Sequence, residues 1–225
     1  MASFLFLGFL IGIRHALEAD HVAAVVSLAT RGGSFRRQVG QGAMWGLGHT
    51  LTLLVVVGAC VSLGLAIPDS ASRWFEAIVG AMLVILGASV FLRLRAQRIH
   101  VHVHRHADGI AHFHAHRHDE VPSHEHAHAC LPLRALVVGS VHGLAGSAAL
   151  VLLMAQTVQS PATGFLYIAL FGLGSVVGMM SIAAAIAVPL RATVKDRARL
   201  HELLCAGAGA FSVLLGTKMI WMFAA

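Results

Sequence analysis

Five ionisable side chains crowd into eight consecutive residues of an otherwise apolar segment. They are Arg14, His15, Glu18, Asp20 and His21. Imidazole combined with carboxylate suits borderline divalent ions such as Ni²⁺, Co²⁺, Zn²⁺, Fe²⁺ and Cu²⁺, whereas Mg²⁺ and Ca²⁺ favour all-oxygen sites. Because the stretch contains neither Cys nor Met, it is a poor match for Cu⁺.

Helix geometry limits how these groups meet. At about 100° per residue, His15, Glu18 and His21 share one face of a straight helix, while Asp20 lies about 100° from His21. Either the helix is distorted here, or Asp20 has a second role. A simpler interpretation is an internal ion-pair patch, with Arg14 and Glu18 paired at i,i+4. Each ionisable group at membrane depth costs at least a few kcal/mol, so the cluster requires pairing or a function.

Two further histidines, His49 and His142, stand alone in other apolar runs. Thr50 and Thr52 follow the first of them. A single histidine in such a run is either a packing residue or a ligand, and both interpretations stay open. The predicted metal-ligating set is His15, Glu18, Asp20, His21, His49 and His142.

The composition indicates the elements that must position these groups. Of 225 residues, 57% are hydrophobic and 12% charged, with a mean hydropathy of +0.78. A soluble domain carries about 25% charged residues, so a soluble, disordered or coiled-coil chain is excluded. Each apolar run exceeds the ~20 residues that a membrane helix needs, which is too long for a barrel strand. We predict an all-α polytopic membrane protein with six transmembrane helices, at Phe4–Ala29, Gly42–Ile67, Trp74–Leu94, Leu133–Val158, Gly164–Leu190 and Leu200–Phe223.

The cationic residues predict the orientation of these helices. Thirteen of the sixteen Lys and Arg fall in the loops after the first, third and fifth predicted helices, and only Arg73 lies in a loop on the other side. The positive-inside rule therefore predicts outside termini and a cytoplasmic long loop in a multi-pass inner-membrane protein. The formal charge of +6 is explained as loop charge, so no nucleic-acid partner is expected.

Short sequence blocks recur in order in the two halves. Because each half has three spans, the second half enters from the opposite side, which predicts two inverted repeats with binding groups at the midplane. The predicted units are 1–95, the first repeat, and 132–225, the second. The matched blocks are 12–17 with 139–144, 46–49 with 172–175, and 80–87 with 209–216. Asp20 aligns with Ser147 and His49 with Ser175, so the first half is expected to carry the chemistry.

The segment 96–131 between the repeats is rich in histidine. It holds eleven of the sixteen histidines, mostly at alternate positions. Alternation fits a strand, but Gly109, Pro122 and several charged residues interrupt it, so disorder is expected. The loop is interpreted either as a cytoplasmic metal buffer or sensor, or as a dispensable tether that chelates incidentally.

Three other functions are weaker matches. A membrane cytochrome would use some of these histidines as axial haem ligands, but the neighbouring acids and the chelating loop argue against it. An intramembrane metalloprotease would require HExxH, and a thiol-redox transporter would require paired membrane cysteines, whereas Cys60 and Cys205 stand alone. The sequence has no nucleotide-binding motif, so any transport would be secondary.

The motifs resemble those of a known family. His15-Ala16-Leu17-Glu18-Ala19-Asp20-His21 resembles the HxxxxDH signature of the nickel/cobalt transporters, and Gly46-Leu47-Gly48-His49-Thr50 resembles their second signature. The six-helix plan is similar to the urease-accessory (UreH-type) nickel permeases, although a six-helix exporter branch is also similar. Glu18 stands where an Asp is usual, and the second half lacks the family's further acidic motifs.

The resemblance implies a transporter rather than an enzyme. It implies that His15, Asp20, His21 and His49 select the metal, that nickel or cobalt is the substrate, and that no cofactor is required. The lipid bilayer and cytoplasmic metallochaperones, or urease and hydrogenase maturation proteins, are the expected partners. We expect uptake, with export as the alternative.

Overall fold

The computed structural model describes residues 2–97, 102–105, 111–114, 133–144, 160–196 and 198–224. Within these ranges the chain is helical apart from two short strands. The helices are α1 Ala2–Ala16, α2 Ala19–Ala29, α3 Phe35–Leu63, α4 Asp69–Gln97, α5 Leu133–His142, α6 Pro161–Asp196 and α7 Ala198–Ala224; the strands are β1 His102–Arg105 and β2 Ala111–His114.

The first predicted span is broken in the middle. α1 and α2 meet at an angle of 58°. The backbone N–H groups of Leu17 and Glu18 donate to the carbonyls of Arg14 and His15, three residues earlier, which tightens and ends α1. Glu18 is extended, with φ −64° and ψ 148°, and α2 begins immediately after it. Of the two sequence-based alternatives, the distorted helix is therefore confirmed.

Four helices, α3, α4, α6 and α7, are long and apolar enough to cross a membrane, and the bent α1–α2 pair gives a fifth crossing if it forms one broken span. Large apolar side chains on their outer faces are widely exposed, including Val55, Ile85, Leu214 and Trp221. Apolar side chains outside as well as inside are typical of helices in lipid. The chain is thus a helical, polytopic membrane protein.

Two predictions for the second half have different outcomes: one is untested and one is corrected. The predicted span Leu133–Val158 is described only as α5 and a turn that ends at Leu144, because 145–159 lie outside the described residues. The sixth crossing therefore stays a prediction. α6 also continues to Asp196, past the expected end near Pro189, since a single proline removes only one helical hydrogen bond.

Glycines allow the helices to approach closely. α3 packs on α6 and α5, α1 packs on α6, and α4 packs on α7. In each pair a glycine lies against a backbone carbonyl of its neighbour, where a Cβ atom would overlap the oxygen. The contacts are Gly12 with Phe171, Gly139 with Trp45, Gly48 with Leu136, Gly174 with Phe9, Gly80 with Gly216, and Gly87 with Gly209. Small residues at such contacts are the usual basis of helix packing in membranes.

The histidine-rich segment contains an antiparallel pair where disorder was expected. β1 pairs with β2, with His102 opposite His114 and Arg105 opposite Ala111. The alternate spacing of the histidines in these eight residues fits the two-residue repeat of a strand. The remainder of the segment lies outside the described residues, and its disorder stays a prediction.

Candidate metal centre

The break between α1 and α2 brings four histidines together. His15 lies in the last turn of α1, His21 in the first turns of α2, His49 in α3 and His142 at the end of α5. All four residues are no more than 5% exposed. The ring centroid of His21 lies 4.3 Å from that of His15, 5.3 Å from that of His49 and 4.2 Å from that of His142. The convergence expected from the sequence is therefore present.

Three of these imidazoles form a set of donors suited to one ion. One nitrogen each from His15, His21 and His49 lies within 4.8 Å of the other two. Among the described residues, Nε2 of His15, Nε2 of His21 and both nitrogens of His49 have no hydrogen-bond partner. Metal–nitrogen bonds of about 2.1 Å place two donors at most about 4.2 Å apart, so a small side-chain movement would complete a three-coordinate site.

Asp20 orients two of the histidines. Its Oδ1 lies 2.9 Å from Nδ1 of His21 and also accepts from the His21 backbone N–H, while its Oδ2 lies 2.9 Å from Nε2 of His142. An ionised carboxylate can only accept, so both imidazole nitrogens must donate to it. The proton of His21 is then on Nδ1, which leaves Nε2 bare and directed to the donor set. Carboxylates commonly orient metal-binding histidines in this way.

Glu18 plays the same part for His15. Its Oε1 lies 3.0 Å from Nδ1 of His15, which leaves Nε2 of that ring without a partner. The simpler interpretation, an ion pair between Arg14 and Glu18, is not found among the described residues, because the helix ends between the two and the Glu18 carboxylate contacts His15. Arg14 is exposed.

A second donor group overlaps the first. Asp20, His21 and His142 also offer one ligand atom each within 4.8 Å. His21 belongs to both groups, so the two groups are contiguous. The polar groups predicted from the sequence therefore form one connected cluster.

Two aromatic residues that the sequence reasoning missed close the cluster. Trp45 is fully buried, with its ring centroid 5.5 Å from that of His21 and 5.4 Å from that of His142. Phe171 lies 5.3 Å from His15. The sequence spacing could have identified the tryptophan. Trp45 precedes His49 by four residues, so both lie on the same face of α3.

Two second-half residues, Ser175 and Ser147, align with His49 and Asp20 of the cluster. Ser175, the counterpart of His49, is buried and donates to the carbonyl of Gly12 at 3.2 Å, which joins α6 to α1. Ser147, the counterpart of Asp20, lies outside the described residues. The described metal donors come from the first half and from His142.

Comparison with known proteins identifies the family. A family model described as high-affinity nickel-transport protein, NicO, matches residues 1–144, which include every histidine and carboxylate of the cluster. The chain belongs to the NicO family. It is 35% identical to the urease accessory protein UreH of Bacillus sp. (strain TB-90), over 98% of this chain and 92% of that protein.

A second relative is similar to a smaller part of the chain. The cobalt transport protein NhlF of Rhodococcus rhodochrous is 32% identical over 94 residues, which is 40% of this chain and 26% of that protein. No solved structure matches the chain.

Proposed function

We propose that this NicO family member is a secondary transporter that carries Ni²⁺ or Co²⁺ across the membrane, and that it is not an enzyme. The observation that carries the proposal is the set of buried, unpartnered imidazole nitrogens of His15, His21 and His49 around one point. Leaving such groups empty in an apolar interior is costly, and neutral imidazoles suit these ions. The ion is cargo, so the proposal requires no resident cofactor.

The depth of the cluster supports transport. His49 is the midpoint of α3, with 14 residues on either side, so it lies about 21 Å from each end at 1.5 Å per residue. A hydrocarbon core is about 30 Å thick, which places the cluster near its centre. Secondary transporters commonly bind their substrates at this depth, beside a broken helix like α1–α2.

We also propose the full inverted repeat for this transporter, with units 1–95 and 132–225 joined by the segment 96–131. The glycine contacts support it. When the two halves are aligned, Gly12 corresponds to Gly139 and Phe171 corresponds to Trp45. The contact of Gly12 with Phe171 therefore has a counterpart in the contact of Gly139 with Trp45. The contacts of Gly48 and Gly174 are counterparts in the same way, and so are the contacts of Gly80 and Gly87. Such reciprocity is expected of a pseudo-twofold axis and not of chance similarity.

For orientation and direction we propose outside termini, a cytoplasmic histidine-rich loop, an inner-membrane location and uptake. The cationic loops support the orientation. Uptake is supported by the order of the donors, since His15 would meet an incoming ion before Asp20 and His21. A histidine-rich cytoplasmic segment would lower free metal at the exit and deliver it to a metallochaperone or a urease or hydrogenase maturation protein. Export is the alternative outcome of the flux experiment.

The geometry argues against a haem protein. The imidazole centroids of His15, His21 and His142 lie 4.2–4.3 Å from their nearest partners. Rings in such direct contact leave no space between them for the flat macrocycle that axial histidines must flank.

Flux measurement tests the proposal. Purified protein is reconstituted in vesicles of known orientation, and radioactive nickel uptake is measured with Co²⁺ or Zn²⁺ as competitor. Wild type should transport nickel, His21→Ala should not, and Thr217→Val, at an exposed site on α7, should match wild type. Equal flux in wild type and His21→Ala would reject the site, and outward flux alone would establish the exporter.

A further inference from the structure

One face of α3 runs from the histidine cluster to the arginine-rich end of the helices, which carries Arg31, Arg36, Arg37 and Arg191. Gln38, Gly42, Trp45 and His49 follow the spacing i, i+4, i+7 and i+11, and all four are buried. At 100° per residue they fall within a stripe about 60° wide, and at 1.5 Å per residue the stripe is about 16 Å long. The inward face of α3 therefore connects the cluster to the end of the helix that begins after Ser34.

Gln38 is an unusual residue for this position. Its side chain is 2% exposed, and among the described residues neither its amide oxygen nor its amide nitrogen has a hydrogen-bond partner. Buried polar groups are nearly always hydrogen-bonded, so an unpartnered amide indicates a water or an ion that visits the position. A residue used only for packing here would be apolar.

Two cavities meet at Gln38. The larger, of about 570 Å³, lies between the turn after α2, the start of α3 and the junction of α6 with α7, and its other lining residues include Ala29, Gly33, Leu190, Arg191 and His201. The smaller lies between Gln38 and Trp45 and holds only about 10 Å³, which is at most one water molecule. The two cavities thus follow the buried stripe of α3. The larger cavity is its wide end, and the smaller cavity, between Gln38 and Trp45, is a nearly closed neck.

The neck is closed by the contact of α3 with α6. A Cβ atom at Gly42 would lie 2.8 Å from the carbonyl oxygen of Met179 and 2.9 Å from Cβ of Ala183. Trp45 lines the same neck and contacts the rings of His21 and His142. A separation of α3 from α6 would therefore open the cluster towards the larger cavity.

We propose that the larger cavity is the vestibule through which a divalent metal ion passes between the histidine cluster and the arginine-rich side, and that the Gln38 amide oxygen is a relay ligand on this route. The inference rests on the proposed transport function and adds a path and a residue to it. Arg191 is exposed and lines the vestibule, and its charge would repel a cation that lingered there, so the vestibule releases the ion and does not store it.

The test separates binding from passage. Gln38→Met keeps nearly the same length and volume but removes both polar atoms, whereas Gln38→Glu retains an oxygen donor. Thr217→Val is the control, since Thr217 is exposed on α7 and lines neither cavity. Each variant is reconstituted for radioactive nickel flux, and Co²⁺ binding to the purified protein is followed by visible absorption.

We expect Gln38→Met to bind Co²⁺ with the wild-type spectrum and affinity but to transport nickel at least about tenfold more slowly, the loss of about 1.4 kcal/mol of barrier stabilisation. Gln38→Glu should transport faster than Gln38→Met, and Thr217→Val should match wild type. Flux of Gln38→Met within about twofold of wild type would overturn the inference, as would a loss of Co²⁺ binding in that variant. If wild-type protein itself neither binds nor transports the metals, the proposed function fails instead.

Discussion

The role of Asp20 allows a graded test of how the cluster binds metal. Asp20 accepts hydrogen bonds from Nδ1 and the backbone N–H of His21 through Oδ1, and from Nε2 of His142 through Oδ2. In Asp20→Asn the amide oxygen can keep both bonds to His21, while its NH₂ group faces His142 and forces that ring into the other tautomer. In Asp20→Ala all three bonds are lost.

The expected magnitudes follow from these contacts. Removing a carboxylate that orients a metal-binding histidine costs about 10- to 100-fold in affinity, which is about 1.4–2.7 kcal/mol. Asp20→Ala should lie at the upper end, because His21 is freed to rotate and to place its proton on Nε2. Asp20→Asn should lie at the lower end, because His21 keeps its bare Nε2 towards His15 and His49.

The assay is titration of purified wild-type, Asp20→Asn and Asp20→Ala protein with Co²⁺ or Ni²⁺ in detergent, with dissociation constants taken from the absorption of the bound ion. His142→Ala is the matched control, since it removes one partner of Asp20 and leaves His21 oriented. It should resemble Asp20→Asn. Equal and severe loss in Asp20→Asn and Asp20→Ala would refute the orienting role, because it would mean that the ion binds the charged carboxylate directly.

Two further predictions test packing and orientation. Gly12→Ala places a methyl group against the carbonyl of Phe171, so we expect about 1–3 kcal/mol of destabilisation and a lower melting temperature in detergent. Gly40→Ala, where nothing lies within 4 Å of the new atom, is the control and should be neutral or stabilising; equal effects would contradict the packing argument. In a cysteine-free background, an impermeant thiol reagent should label Ala192→Cys from the cytoplasmic side and Ala162→Cys from the outside, since they lie at opposite ends of α6. Labelling of both from one side would contradict this orientation.

The membrane class and the metal-binding residue types were readable from the sequence because both are local properties. A chain with 12% charged residues and long apolar runs has few stable alternatives to membrane helices. The ionisable groups of residues 14–21 are conspicuous in such a run because each is costly there. The spacing also showed that a straight helix could not direct Asp20 and both histidines to one point. A distorted helix was one of the two alternatives, and the structure has a break between Ala16 and Ala19.

The assignment of roles within the cluster depended on tertiary structure. Glu18 was predicted to be a metal ligand, with pairing to Arg14 as the simpler alternative, but the break places its carboxylate against His15. Asp20 lies between His21 and His142, which are separated by more than a hundred residues, and only the packing of α5 against α3 brings the second ring within reach. Trp45 and Gln38 were not recognised as site residues from the sequence. The position of a residue in an apolar helix predicts which face of the helix it lies on, but not which residues of other helices it contacts. The burial of the histidines, their unpartnered nitrogens and the vestibule each depend on several helices packing together. The proposed ion site and the proposed route therefore rest on the tertiary structure.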